Sequence, residues 1–271
     1  MAKIIGVCNQ KGGTGKTTTV INLATFLSYA GQRVLVVDMD PQGNATSGLG
    51  IDKKNIPGSI YEVLLGKNDL KDILVSTEIE NLLVAPSHVS LSGAQIELVE
   101  IPFRETRLRK SINLVQRDYD YIIVDAPPSL GLLTLNVLAA IDGVVIPIQC
   151  EFYALEGLSQ LVNTIQLVRE RINPSLEIEG VLLTMADYRT KLTKEIIQEV
   201  KSFFKGKVYN TIIPRSIKLS EAPGFGVPVF VHDKNSSGAV SYFQFAEEVL
   251  GKKIQGIYEK IGVYDGQESI G

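Results

Sequence analysis

Two cysteines and two histidines in 271 residues leave little from which to build a metal centre. Cys8 and Cys150 lie in apolar, strand-like contexts, and no C-x-x-C pair is present. With only His88 and His232 beside them, a zinc or iron–sulfur site is not expected. The cysteines read instead as buried, inert thiols that suit a reducing compartment. No apolar run reaches the roughly 18 residues that a membrane span needs. The opening MAKIIGVCNQ is too short in apolar residues for a secretory leader, so a cytoplasmic location is expected. An excess of basic charge is missing too. The 27 Lys and Arg face 30 Asp and Glu, a net charge of -3, which argues against a protein coating nucleic acid over its whole surface. A local basic patch is still allowed. Repeats, low-complexity tracts and Pro/Gly/Ser linkers are also absent. One domain over residues 1–252 is therefore expected, with a polar tail, 253–271, partly disordered.

What is present is an alternation of short β-rich runs and helical segments. Strands are expected at Lys3–Cys8, Arg33–Asp38, Leu82–Ala85, Tyr121–Asp125, Gly143–Gln149, Glu179–Thr184 and Tyr209–Ile213. Helices are expected at Lys16–Tyr29, Arg104–Gln116, Leu132–Ala140, Ala154–Arg171 and Thr193–Phe204. Gly31 follows the first helix where a C-terminal glycine belongs. Runs such as IIVD and VVIPIQ are apolar throughout, as strands covered on both faces are. The pattern predicts an α/β fold, a mostly parallel twisted sheet with helices on both faces.

Between the first strand and the first helix lies QKGGTGKTT, residues 10–18. Its end, Gly15-Lys16-Thr17, completes the phosphate-loop pattern G-x-x-x-x-G-K-[ST], although Gln10 stands where that pattern has its leading glycine. Glycines let backbone N–H groups turn onto phosphate oxygens, and the helix that follows presents its positive end. Lys16 is expected to reach the β- and γ-phosphates of ATP and Thr17 to hold Mg2+. Thr18 can donate to the α-phosphate. Such a loop needs acidic partners for the metal and the attacking water. Three carboxylates fall at strand ends: Asp38 and Asp40 in VVDMDPQGN, and Asp125 in YIIVDAPPS. Asp125, after four apolar residues, suits a Walker-B metal ligand. Asp40 is placed to orient or deprotonate water.

KGGTGKTT, VVDMDPQGNATSGLG, IIVDAPPSLGLLTLNVL, IPIQCEFYALEGLSQL and IPRSIKLSEAP together closely resemble the ParA/Soj partitioning ATPases, from about residue 2 to 250. These are P-loop NTPases of the deviant Walker A group, which also includes MinD. The resemblance implies a Mg-dependent ATPase that forms a homodimer when ATP is bound. Lys11 matches the signature lysine, which reaches the partner's phosphates across the dimer, in the manner of an arginine finger supplied in trans. Gly12 matches the glycine at the dimer contact. Asp40 matches the catalytic aspartate and Asp125 the Walker-B residue. Backbone at Pro214 and Ser216 lies where the family contacts adenine, with Ser216 in place of the more usual asparagine. Gly13, Thr14 and Gly15 complete the nucleotide loop, and Thr14, often valine in relatives, should matter little where backbone amides do the work.

Residues 180–220 carry eight Lys or Arg (189, 191, 194, 201, 205, 207, 215 and 218) against three acids (187, 195 and 199), an excess of five on an acidic chain. Such a patch suits phosphate contacts. By resemblance, Arg189 and Lys218 match arginines implicated in non-specific binding of double-stranded DNA. Lys218 keeps the charge and loses the bidentate fork. Arg215 is a further candidate. No helix-turn-helix or extension ahead of the loop is seen, so the short, Soj-like type is expected. A centromere-bound ParB/Spo0J-type partner would stimulate hydrolysis, and the protein would be nucleoid-associated. A MinD-like membrane ATPase is the alternative. It needs a basic amphipathic C-terminal helix, where this chain has the acidic, glycine-broken KKIQGIYEKIGVYDGQESIG. An iron–sulfur carrier lacks suitable cysteines, and a metabolic P-loop enzyme such as dethiobiotin synthetase lacks a substrate-specific motif.

Overall fold

The computed structural model describes residues 1–151 and 157–255. In chain order the elements are β1 (Lys3–Val7), α1 (Lys16–Tyr29), β2 (Val34–Asp38), α2 (Asn44–Gly48), α3 (Ile60–Leu65), β3 (Val75–Ser76), β4 (Leu82–Ala85), α4 (Leu91–Glu97) and α5 (Arg107–Asn113). They continue with β5 (Tyr121–Asp125), α6 (Leu132–Ala140), β6 (Gly143–Gln149), α7 (Leu158–Arg171), β7 (Glu177–Ala186), α8 (Lys191–Phe204), β8 (Val208–Pro214), α9 (Ile217–Glu221), α10 (Val229–His232) and α11 (Ser237–Leu250).

Eight strands form one sheet in the order β3-β4-β2-β5-β1-β6-β7-β8. All neighbours pair in parallel except β3, which runs antiparallel to β4 at one edge. Successive strand residues feed opposite cores. Ile4, Leu35, Ile122, Val144 and Val181 join one buried cluster. Their neighbours Ile5, Val36, Ile123, Val145 and Leu182 join the other. This two-sided burial is why the strands read as unbroken apolar runs. The first cluster is closed by residues of α3 to α8, and the second by α1 and α11. β1 lies between β5 and β6, so the loops leaving the carboxyl ends of β1, β2 and β5 open on one edge, where parallel sheets bind ligands. Among the described residues no helix is long and apolar enough to cross a membrane.

Several boundaries differ from the sequence expectation. The helix expected at Arg104–Gln116 shrinks to α5, with 3-10 turns at Arg104–Thr106 and Gln116–Asp118. Asn136 of α6 is the reason at its start: its side chain accepts from Leu108 N–H and donates to the Arg104 carbonyl. At the other end Leu114 and Val115 N–H bond three residues back, tightening the chain out of α geometry. β2 begins at Val34, β7 runs two residues further at each end than expected, and α8 begins at Lys191 behind a Thr190 cap. The expected start of the long helix at 154–156, and the expected disordered tail beyond 255, lie outside the described residues. Gly31 takes a positive φ of 79 just past α1, as anticipated.

α11 is not among the helices expected from sequence. Ser236 caps it and Gly251 ends it in the left-handed region. Its Tyr242, Phe243, Phe245 and Ala246 fill the second core. Phe245 is fully buried and meets Tyr209 edge-on at 4.9 Å. Phe245→Ala is expected to lower stability by about 3–5 kcal/mol. Urea unfolding measures it, and a loss below about 1 kcal/mol would mean that α11 is not fastened to the sheet.

Candidate nucleotide site

The chain leaves β1 and turns twice through left-handed backbone, at Gly13 (φ 72) and Gly15 (φ 88), before entering α1. Those two positions need glycine for conformation. Gly12 does not: its φ lies outside the left-handed range, it is exposed, and a Cβ built on it would meet nothing within 4 Å. The loop is fastened from outside. Thr184 of β7 donates its hydroxyl to the Thr14 carbonyl at 2.9 Å, and Asn9 Oδ1 accepts from Lys11 N–H at 3.0 Å. Thr14 is itself buried. Lys16 is largely buried, and its ammonium donates to the Lys11 carbonyl at 3.1 Å. Burial pulls its pKa below the ordinary lysine value, while the charges of Asp125 and Asp40 work against that shift.

Around the loop stand the three strand-end carboxylates. Asp125, fully buried, accepts from the Thr17 hydroxyl at 2.7 Å through Oδ2, while its Oδ1 has no hydrogen-bond partner among the described residues. Burial raises its pKa well above the carboxylate range, and the neighbouring Asp38 charge adds to it. Thr17 and Asp125 are hard oxygen donors with one lone-pair face unspent, and they fit Mg2+, which takes a carboxylate or two plus phosphate oxygens and water. Asp38 has a different place. It accepts from Thr46 N–H, the Thr46 hydroxyl and Asp40 N–H, which spends its lone pairs inside the fold. Burial still pushes it up to about 6. Asp38 therefore fastens α2 and the Asp40 turn to β2. Asp40 accepts from Gln42 N–H at 2.9 Å and faces the open cleft. Cys8 and Cys150 are buried thiols pushed up by burial, to about 12 and about 11. That keeps them protonated and inert.

Two cavities meet at the loop. One, of about 350 Å³, is lined by Gly12, Gly13, Lys16, Thr17, Asp40 and Gln42 among others. The second, of about 270 Å³ and more apolar, has Ile213, Pro214, Ser216, Leu219, Pro223 and Tyr242 in its wall. Both are bordered by Gly15, Thr18 and Met185. A polar phosphate-sized half thus continues into an apolar base-sized half, the proportions of a nucleotide. Nine of these positions (Gly12, Gly13, Gly15, Lys16, Thr17, Thr18, Asp40, Pro214 and Ser216) are expected from sequence in the nucleotide site, and Thr184, Met185 and Tyr242 are among those that are not. Thr184 and Met185 sit in an ordinary apolar strand, and nothing in their sequence context separates them from core.

The candidate DNA residues are brought to the same edge but none is bare. Arg189 is held by Asp187 through two bonds, of 2.8 and 2.6 Å. Arg215 meets Glu151 at 3.0 Å, and Lys218 meets Glu221 at 3.0 Å. Lys191, Lys194, Lys201, Lys205 and Lys207 are exposed on and beyond α8.

The AAA domain family matches residues 2–178. The sporulation initiation inhibitor protein Soj of Bacillus subtilis (strain 168) is 56% identical over 249 residues, covering 92% of this chain and 98% of that protein. The chromosome partitioning protein ParA of Myxococcus xanthus is 52% identical, over 92% and 88%. The chain belongs to the ParA/Soj family of partitioning ATPases. A Mycobacterium smegmatis structure, described as cobyrinic acid a,c-diamide synthase with a bound ATP analog and magnesium, superposes with a TM-score of 0.82 at 36% identity, covering 97% of both chains. This ParA/Soj chain therefore carries its phosphate loop on a scaffold seen elsewhere with nucleotide.

In this ParA/Soj site the Thr184 hydroxyl is the fastening that no family motif announces. Thr184→Val keeps its shape and removes the donor, leaving the Thr14 carbonyl unpartnered. The expected loss is about 1–2 kcal/mol of stability. It is read from thermal unfolding, and an unchanged midpoint would show that the loop holds its shape without β7.

Proposed function

We propose that this ParA/Soj ATPase is a DNA-partitioning switch. ATP joins two copies face to face, the joined basic faces hold double-stranded DNA without sequence preference, and hydrolysis to ADP and phosphate returns monomers that let go. The observation that carries this reading is Gly12. Gly12 is exposed and a Cβ built there would meet nothing within 4 Å, so the rim of the loop is bare backbone open to a second subunit's close approach. Lys11 precedes it on the same rim, where its side chain would serve a partner's phosphates as a finger in trans.

Within one subunit the assigned roles follow the geometry. Backbone N–H groups from Gly12 to Thr18 cradle the phosphates at the head of α1. The Lys16 ammonium, already inside the loop, exchanges the Lys11 carbonyl for β- and γ-phosphate oxygens. Thr17 and Asp125 would hold Mg2+, which supplies charge neutralisation on the phosphates when bound. Asp40 orients the attacking water and takes its proton as oxygen bonds to the γ-phosphorus and ADP leaves. Pro214 and Ser216 offer backbone to the adenine in the apolar half of the cleft. The relatives' names, a chromosome partitioning protein and a sporulation initiation inhibitor, support a partitioning role; nucleoid association and a ParB/Spo0J-type partner that stimulates hydrolysis belong to the same proposal.

Asp40→Ala is expected to bind ATP, remain a dimer on size exclusion and stay on DNA, because the step that separates the subunits is blocked. A monomer that ignores DNA in the presence of ATP would sink the switch.

The DNA face carries a second expectation. Each of Arg189, Arg215 and Lys218 faces a carboxylate that competes with DNA phosphate. Exposed pairs of this kind are weak, so phosphates can displace them at small cost. Asp187→Asn is expected to raise the affinity of the ATP-bound form for DNA roughly two- to fivefold. The salt dependence should steepen by about one contact. Filter binding across salt concentrations reads both. An unchanged or shallower slope would remove Arg189 from the interface.

A further inference from the structure

Between β7 and β8 the ladder slips near the site. Leu183 pairs with Ile212 and Ala186 with Pro214, so three steps along β7 oppose two along β8. One extra residue is accommodated in β7, and Met185 there adopts φ 52. A strand bulge with a left-handed residue ordinarily uses glycine, and asparagine is the next most tolerant choice. Methionine gains nothing locally from that conformation.

The bulge is held from three sides. Before it, Thr184 donates its hydroxyl to the phosphate-loop carbonyl of Thr14, and its own carbonyl accepts from Cys150 N–H at 3.0 Å. After it, the Ala186 carbonyl accepts from Arg215 N–H at 3.0 Å, at the start of the segment that walls the base-sized cavity. The phosphate loop, the end of β6 and the turn after β8 are thus all bonded to residues flanking Met185. Of the three residues bordering both cavities, Gly15, Thr18 and Met185, only the last has a long apolar side chain. Bulges beside sites serve to re-aim a side chain, and a thioether is a soft, polarizable partner for an aromatic face.

We propose that Met185 is a nucleoside-positioning residue, held in a strained bulge so that its side chain packs against the base and ribose where the two halves of the cleft join. The inference rests on the reading of this cleft as an ATP site. It adds a determinant on the nucleoside side of the cleft, separate from the phosphate loop. The strain is retained because the side chain is used, and local stability alone would have favoured glycine or asparagine.

The test is calorimetric titration of the full chain with ATP and, separately, with inorganic tripolyphosphate, alongside thermal unfolding. Three variants are compared with the wild type: Met185→Leu, Met185→Asn and Met185→Gly. The asparagine and glycine variants relieve the backbone and lose the apolar contact. They are expected to unfold no lower than the wild type, yet to bind ATP about three- to tenfold more weakly. Their tripolyphosphate binding should not change. The leucine variant should bind ATP within about twofold of the wild type. ATP binding unchanged in the asparagine and glycine variants would overturn the proposal. So would an equal loss for tripolyphosphate, which would place the effect in the phosphate loop. A fall in unfolding temperature for both relaxed variants would overturn the strain argument. A wild-type chain that binds tripolyphosphate but gains nothing from the nucleoside would overturn the inference and leave the phosphate loop standing. Binding of neither would remove the ATP reading itself.

Discussion

At the end of β5 the Asp125 carboxylate sits wholly out of water, with one oxygen on the Thr17 hydroxyl and the other without a partner among the described residues. A buried carboxylate in that state is costly, and its raised pKa expresses the cost. What makes it tolerable is position. β5 lies between β2 and β1, with Asp125 in register with Asp38 on one side and Val7 on the other. The strand that leads to the phosphate loop and the strand that leads to Asp40 therefore both end beside it. An incoming cation would relieve the site of its uncompensated charge and its unspent oxygen together.

Asp38 shows the contrasting solution to the same problem. It is as deeply buried, but three donors from Thr46 and Asp40 converge on it. Its lone pairs are committed to the fold, so it acts as a fastener for the turn that presents Asp40. The two carboxylates differ in hydrogen-bond satisfaction, since burial is alike for both. Lys16 lies between these two cases. Its ammonium rests on a loop carbonyl in a desolvated setting and carries a lowered pKa. That leaves it ready to exchange a neutral oxygen for a phosphate.

The fold was legible because its strands are covered on both faces, and apolar runs such as Tyr121–Asp125 can be little else once helices alternate with them. The phosphate loop was legible because glycine, lysine and threonine are each demanded by a separate physical need. Among the strand-end acids, Asp125 and Asp40 could be given a metal and a water role from sequence, but the part played by Asp38 could not be read there. That requires knowing which donors reach the carboxylate, and nothing in the sequence marks Thr46, eight residues on, as the one that claims Asp38. Met185 and Thr184 were illegible for a related reason: a bulge arises from pairing between strands, and β8 comes some twenty residues later. The α5 boundary was misjudged because Asn136, from the next helix, claims backbone groups that propensity alone would give to the helix. The omission of α11 was of another kind. Its apolar spacing, Ser236 cap and terminal Gly251 are all readable in the sequence.

The paired state of the basic face bears on why the proposed switch should use two copies. A chain with net charge -3 has no long-range pull toward DNA, and three of its candidate cations already face carboxylates. Each contact with phosphate is then a small exchange, a surface pair given up for another, with the release of a DNA counterion as the main gain. Binding free energy from such contacts grows with their number, so affinity grows exponentially with it. Doubling the face by dimerisation squares the contact contribution while linking both faces to one nucleotide event. A more basic single face would bind DNA in every nucleotide state and lose the switch. Under the proposed function, partial neutralisation by Asp187, Glu151 and Glu221 would keep the single subunit's contribution low, so that the dimer makes the difference.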